Sequence, residues 1–151
     1  MGEITAGRVA LMSIRPEFAD AILSGDKSVE FRKRPVAADV SHVLIYATLP
    51  VGSLLGWFEV SRQSTTSPRD LWNQFRNVGG ISKDRFFDYY THKKLRTGIV
   101  VGSAKKFDEP QPLTKLGETV RPPQSFQYLT EAQAATFFDM VSAKPAAGDQ
   151  T

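Results

Sequence analysis

Lys27, Glu30, Arg32, Lys33 and Arg34 follow closely on Gly25 in the stretch GDKSVEFRKRP. A lysine and a glutamate this near each other can serve as acid and base wherever burial drives their pKa values apart. On a strand, Glu30, Arg32 and Arg34 share one face while Val29, Phe31 and Lys33 take the other. The carboxylate can then orient the guanidinium, and a fork held in this way suits a phosphate or a base edge better than a free lysine does. The same residues would also make a self-compensating charge ladder that guards a sheet edge.

The elements that must position this set are legible around it. Val9–Ile14 is expected as a strand, and Pro16 takes the favoured first position of a helix. Phe18, Ala19, Ile22 and Leu23 recur at helical spacing, and Gly25 supplies a left-handed stop. Lys27–Arg34 is expected as the charged strand, followed by His42–Leu49 and Leu54–Arg62 as neighbouring strands. Ser67 is an N-cap before Pro68, with Leu71, Trp72, Phe75 and Val78 on one helical face and Gly79-Gly80 as its end. Ser82 starts a short helix carrying Phe86, Phe87 and Tyr90. Thr97–Val101 is a strand, and Lys105–Leu116 is extended and broken by Pro110 and Pro112. Phe126–Leu129 is a last strand, and Thr130 with Gln133 forms a capping box for a helix ending near Ala143.

Composition excludes several chemistries. The chain has 151 residues, no cysteine and two histidines, His42 and His92, so thiolate sites are excluded and a histidine metal site is disfavoured. Both histidines are expected at the surface. No apolar run approaches the roughly 18 residues of a membrane span, and a cytoplasmic protein is the simplest reading. Residues 1–143 are expected as a single domain, with 144–151 a disordered tail. The net charge of +3 conceals an asymmetry: segments 1–61, 62–106 and 107–151 carry −1, +7 and −3. The basic middle segment suits a polyanion partner, and a solvated helical face would look the same.

Short strands with inserted helices predict an α+β fold, a small mixed β-barrel of five to six strands with peripheral helices. The pattern of Leu11, Ile14, Arg15, Pro16, Phe18, Ala19, Ile22, Gly25, Lys27, Glu30, Phe31, Arg32 and Arg34 resembles the ASCH domain, a branch of the PUA-like superfamily. Ile45–Pro50 (IYATLP), Gly56–Val60 (GWFEV) and Pro122–Leu129 (PPQSFQYL) support it, so the resemblance spans about residues 8–142. It implies a barrel with a cleft and a role in RNA metabolism. Among such proteins some bind nucleic acid, some cleave RNA and some hydrolyse an acylated cytidine nucleoside. The amidohydrolases use G-x-K-x-x-T; here Gly25 and Lys27 match, and Glu30 stands in place of the threonine.

Other candidates are open to two readings. Tyr46 and Thr48 alternate away from Val43, Ile45 and Ala47, towards either a cleft or a core. Ser125 and Tyr128 lie in a segment resembling one that borders the cleft in relatives. Trp57, Phe58 and Trp72 would stack bases or pack internally, and Glu59 is a cleft carboxylate or a solvated one. His92 beside Lys93 and Lys94 suits phosphate better than metal.

The expectation is a protein that binds RNA or other single-stranded nucleic acid, without a cofactor, in a cleft lined by Arg15, Lys27, Glu30, Arg32 and Tyr46. Arg34, Arg62, Lys93 and Lys94 extend the contact to the backbone. A metal-independent ribonuclease would use Lys27 and Tyr46 as proton donors or phosphate stabilisers and Ser125 as a positioning group. The alternatives are a small amidohydrolase acting on an N4-acetylcytidine-like nucleoside through Lys27 and Glu30, and a protein-interaction module built on the aromatic helices at 72–90.

Overall fold

A computed structural model describes residues 7–89 and 95–142. The chain runs β1 (Arg8–Ile14), α1 (Pro16–Ser24), β2 (Val29–Arg32), β3 (Val40–Ala47) and β4 (Ser53–Thr66). It continues through α2 (Pro68–Phe75), α3 (Lys83–Tyr89), β5 (Arg96–Gln111), a 3-10 turn (Leu113–Leu116), β6 (Phe126–Tyr128) and α4 (Glu131–Ser142). The six strands form one sheet in the order β2-β5-β4-β3-β1-β6. Among the described residues only β1 and β3 pair in parallel; the other pairings in the sheet are antiparallel. The sheet curls until its two edge strands, β2 and β6, approach each other across a seam. This is the α+β, barrel-like architecture expected from the sequence.

Each face of the curled sheet is covered, which explains the unbroken apolar runs of its middle strands. On β1, Ala10, Met12 and Ile14 enter a core with Ala19 and Ile22 of α1, whereas Val9 and Leu11 enter a second core with Leu129 and Phe137. A third core joins Val29 and Phe31 of β2 to Leu71 and Phe75 of α2 and Phe86 of α3. The edge strand β2 is therefore pinned on one face by apolar packing, which leaves its charged face turned towards the seam.

Several boundaries differ from expectation for identifiable reasons. The charged strand is shorter, because Lys33 and Arg34 bend away into solvent after Arg32. β4 runs on to Thr66, and the two segments expected around 97–116 merge into one strand, since β5 follows β4 along its length through three register shifts. α2 stops at Phe75 instead of at Gly79-Gly80. The carbonyl of Val78 is drawn out to accept from the Ser28 amide at 2.7 Å, and Val78 is 40% exposed instead of joining the apolar face. The Thr130–Gln133 capping box is present, with reciprocal bonds of 2.9 and 3.1 Å. Tyr90, His92, Lys93, Lys94 and the tail expected at 144–151 lie outside the described residues.

Candidate functional site

The site begins where α1 stops. Gly25 has φ 93°, a left-handed conformation that costs a glycine nothing, and the chain turns there towards β2. Its own amide is bonded to the Ile22 carbonyl, and the Lys27 amide reaches back to Ala21 at 3.0 Å, so the turn is fixed at both ends. The result delivers Lys27, Glu30 and Arg32 into a cleft of about 980 Å³ at the seam between β2 and β6. Ile14, Phe18, Phe31, Ile81 and Phe126 supply its apolar lining, and Ser13, Thr48, Gln124, Ser125 and Gln127 supply polar groups. Six basic side chains line it, Arg15, Lys27, Arg32, Lys33, Arg34 and Arg85, against the carboxylates of Glu30 and Asp88. A polyanion is the partner that this balance favours.

Lys27 is only 2% exposed. Its Nζ donates to the Gly79 carbonyl and sits 4.9 Å from the ring centre of Phe18 and 5.0 Å from that of Phe31. Burial holds its pKa below the ordinary lysine value; Glu30 opposes that shift and Arg32 adds to it. The lysine is thus readier to release a proton than one at the surface. Gly80 is needed beneath it: φ is +65°, and a Cβ there would lie 2.9 Å from the Lys27 Cβ and Cγ.

Glu30 and Arg32 form a buried pair, with Arg32 Nη1 donating to Glu30 Oε2 at 3.1 Å. The rest of the fork crosses the seam. Nη1 and Nη2 donate to the Ser13 carbonyl at 3.3 and 3.2 Å, and Nη2 also donates to the carbonyl and hydroxyl oxygens of Ser125, each at 3.2 Å. This corrects the expectation of a fork open to phosphate. Arg32 spends its donors on the protein, because the curl of the sheet brings three carbonyl and hydroxyl acceptors to the point where its guanidinium ends. No protein donor takes Glu30 Oε1 among the described residues.

The other sequence candidates separate clearly. Arg15 and Arg34 lie exposed on the cleft lining, and Ser125 is exposed at its rim. Tyr46 is buried in the second core with Leu44, Leu54 and Trp57, because its alternation on β3 leads to the face beneath α4. Its hydroxyl lies beside Gly52, 3.5 Å from where a Cβ there would stand, and Tyr46 is not part of the cleft lining. Arg62 is exposed on β4, its guanidinium 5.7 Å from the Phe75 ring, away from the cleft lining. Trp57 and Phe58 are core residues, Trp72 packs on Phe86 and Phe87, and Glu59 is solvated. His42 is not a surface residue: it is 9% exposed beneath α4, against Trp57, Phe137 and Phe138.

Sequence reasoning missed Ser13, Phe18, Gly79 and Arg85 as site residues. Arg85 pairs with Glu17 at 2.7 Å and covers the Phe18 ring at 5.1 Å, which places α3 over the same cleft. Helical spacing marked Phe18 only as a core position, and a glycine carbonyl leaves no mark in a sequence. Among the described residues no three His, Asp or Glu side chains gather as a metal-ligand set. Nor is any described helix long and apolar enough to cross a membrane.

Known proteins resemble this chain over most of its length. It is 30% identical over 146 residues to an ASCH domain-containing ribonuclease of Zymomonas mobilis, covering 94% of this chain and 98% of that one. The crystal structure of a serine-to-alanine variant of the ASCH protein from Zymomonas mobilis superposes with a TM-score of 0.81 at 27% identity, covering 91% of this chain and 99% of that one. A tyrosine-to-phenylalanine variant gives a TM-score of 0.78, also at 27% identity, over 87% and 96% of the two chains. The family model described as the ASCH domain matches residues 12–110, a span that runs from the last residues of β1 to near the end of β5 and contains the whole Lys27–Glu30–Arg32 constellation. With its sheet, its charged seam and these matches in agreement, the chain belongs to the ASCH domain family.

Proposed function

We propose that this protein binds single-stranded RNA in the seam cleft and cleaves it without a metal ion. The observation that carries the reading is the buried Lys27–Glu30–Arg32 set opening into a cleft whose other charged lining residues, Asp88 apart, are basic. The full-length similarity to a protein named as a ribonuclease supports it. Arg15, Arg34 and Arg85 are placed to meet phosphates at the rim, and the apolar lining offers bases a place to leave water. Two solved variants of the Zymomonas mobilis protein each remove one hydroxyl, from a serine and from a tyrosine. Ser125 is a hydroxyl on the lining of this cleft, whereas Tyr46 lies in the second core and receives no proton-transfer role here.

The chemistry needs only a base, an acid and a fixed phosphate. Glu30 Oε1 takes the proton of a ribose 2′-hydroxyl, and the 2′-oxygen attacks the adjacent phosphorus. The bond to the 5′-oxygen breaks, and that oxygen leaves with a proton from Lys27, whose lowered pKa suits it to the task. The products are a 2′,3′-cyclic phosphate and a 5′-hydroxyl end, and solvent returns the proton from Glu30 to Lys27. A cytoplasmic location and an RNA partner accord with this reading. An acylated nucleoside is a weaker substrate, because Glu30 occupies the place of the amidohydrolase hydroxyl and an uncharged ligand leaves the basic rim unused. A protein-interaction role has less support still, since Trp72, Phe86 and Phe87 stack on one another.

End-labelled single-stranded RNA, the same sequence as DNA, and N4-acetylcytidine should each be incubated with the protein at low salt, with and without chelator. RNA alone should be cut, chelator should not prevent it, and a single 2′-deoxy substitution should block cleavage at that position. No binding of RNA at low salt, or cleavage that survives the 2′-deoxy substitution, would refute the proposal.

A further inference from the structure

Arg32 stands on one edge strand of the sheet, and its five hydrogen bonds end on Glu30 of its own strand, Ser13 of β1 and Ser125 just before β6. Those bonds do two separable things. The Ser125 carbonyl already accepts from the Ser13 amide at 3.0 Å, and the Ser13 hydroxyl donates to the Pro123 carbonyl at 2.6 Å. The segment before β6 is therefore held in place without help from the arginine. The Ser125 hydroxyl is not: Arg32 Nη2 is its one hydrogen-bond partner among the described residues, and that contact uses an oxygen lone pair. The hydroxyl proton, on an exposed residue at the cleft rim, is left for a ligand.

We infer that Arg32 is a positioning residue, which reaches across the seam to hold Ser125 with its O–H directed into the cleft as a donor to the scissile phosphate, while fixing Glu30 with its free oxygen towards the same space. The inference rests on the ribonuclease reading of the cleft. It separates two kinds of arginine there. Arg15 and Arg34 are exposed and act as phosphate-binding charges, whereas Arg32 acts through Ser125 and Glu30 and does not touch the RNA. The polarity of the contact is decisive. A serine that donated to its neighbour would present only lone pairs to an anion, but one that accepts from a guanidinium presents a proton, and a neighbouring cation strengthens that proton as a donor.

Arg32→Lys, Ser125→Ala and the double variant test it, with Arg15→Ala as the comparison and thermal melting to confirm folding. Arg32→Lys keeps a cation beside Glu30 but cannot span to Ser125. Each of Arg32→Lys and Ser125→Ala should lower kcat by on the order of 100-fold, the usual effect of losing one donor to a transition-state oxyanion, with KM little changed. The double variant should fall no further than the singles, because both remove the same oriented proton. The salt dependence of RNA binding should be unchanged in Arg32→Lys and shallower by about one unit of slope in Arg15→Ala. Losses in the double variant that multiply, or an Arg32→Lys loss that falls on KM instead of kcat, would overturn the inference alone and make Arg32 an independent or direct contact. A parent protein that leaves RNA intact would overturn it together with the reading beneath it. Ser125→Ala, at an exposed position, keeps the test decisive even if Arg32→Lys fails to fold.

Discussion

Replacing Arg32 by alanine tests how the seam is built. The Glu30 and Arg32 side chains are 7% and 11% exposed and meet at 3.1 Å, so solvent screens the pair weakly. Removing the guanidinium leaves a carboxylate at that depth without its cation and strips donors from Ser13 and Ser125. Breaking a buried ion pair from one side costs about 3–5 kcal/mol, because an uncompensated charge stays behind. Domains of this kind have only roughly 5–15 kcal/mol to lose. At about 2–4 °C per kcal/mol, the thermal midpoint should fall by roughly 6–20 °C. Urea unfolding of the parent, Arg32→Ala, Glu30→Gln and the double variant Glu30→Gln/Arg32→Met measures it. The double variant should recover part of the loss, since no orphaned charge remains. A loss below about 1 kcal/mol for Arg32→Ala, the range of exposed pairs, would mean that water reaches the pair and that no buried charge is orphaned by the change.

Lys27→Met keeps the aliphatic stem against Gly80 while removing the ammonium, so RNA cleavage should disappear in a gel assay although the fold is retained. The parent's stability should rise as pH climbs from its lowered folded pKa towards 10.5, because the unfolded chain binds more protons in that window; in Lys27→Met this rise should vanish from pH-dependent unfolding curves. His42 has its charged form disfavoured, mainly by burial and in part offset by Glu59. Stability should therefore decline as pH falls below 6.5 towards its lowered folded value, and His42→Phe should flatten that decline in acid titrations followed by circular dichroism. Arg34→Ala, a change at the exposed rim, should weaken RNA binding at low salt and reduce the log–log salt slope by about one without altering the melting temperature.

The local structure around the site follows from residues close together in the chain. Pro16, the Phe18–Leu23 spacing and Gly25 specify where α1 begins, which face it buries and where it stops, because each acts through backbone geometry within a few residues. The alternation of Val29 and Phe31 with Glu30 and Arg32 likewise sets the charged face without help from any tertiary contact. The unbroken apolar run of β3 announced burial, but left open which face each side chain met. Only the curl of the sheet settled that, assigning Tyr46 to a core and His42 to an aromatic enclosure beneath α4. The same curl brought Ser125 to Arg32 across 93 positions and Gly79 to Lys27 across 52. A glycine carbonyl and a serine hydroxyl carry no periodicity, so their place in the site is decided where the two edges of the sheet meet. That meeting turned an arginine which the sequence offered to a ligand into one that the protein uses itself.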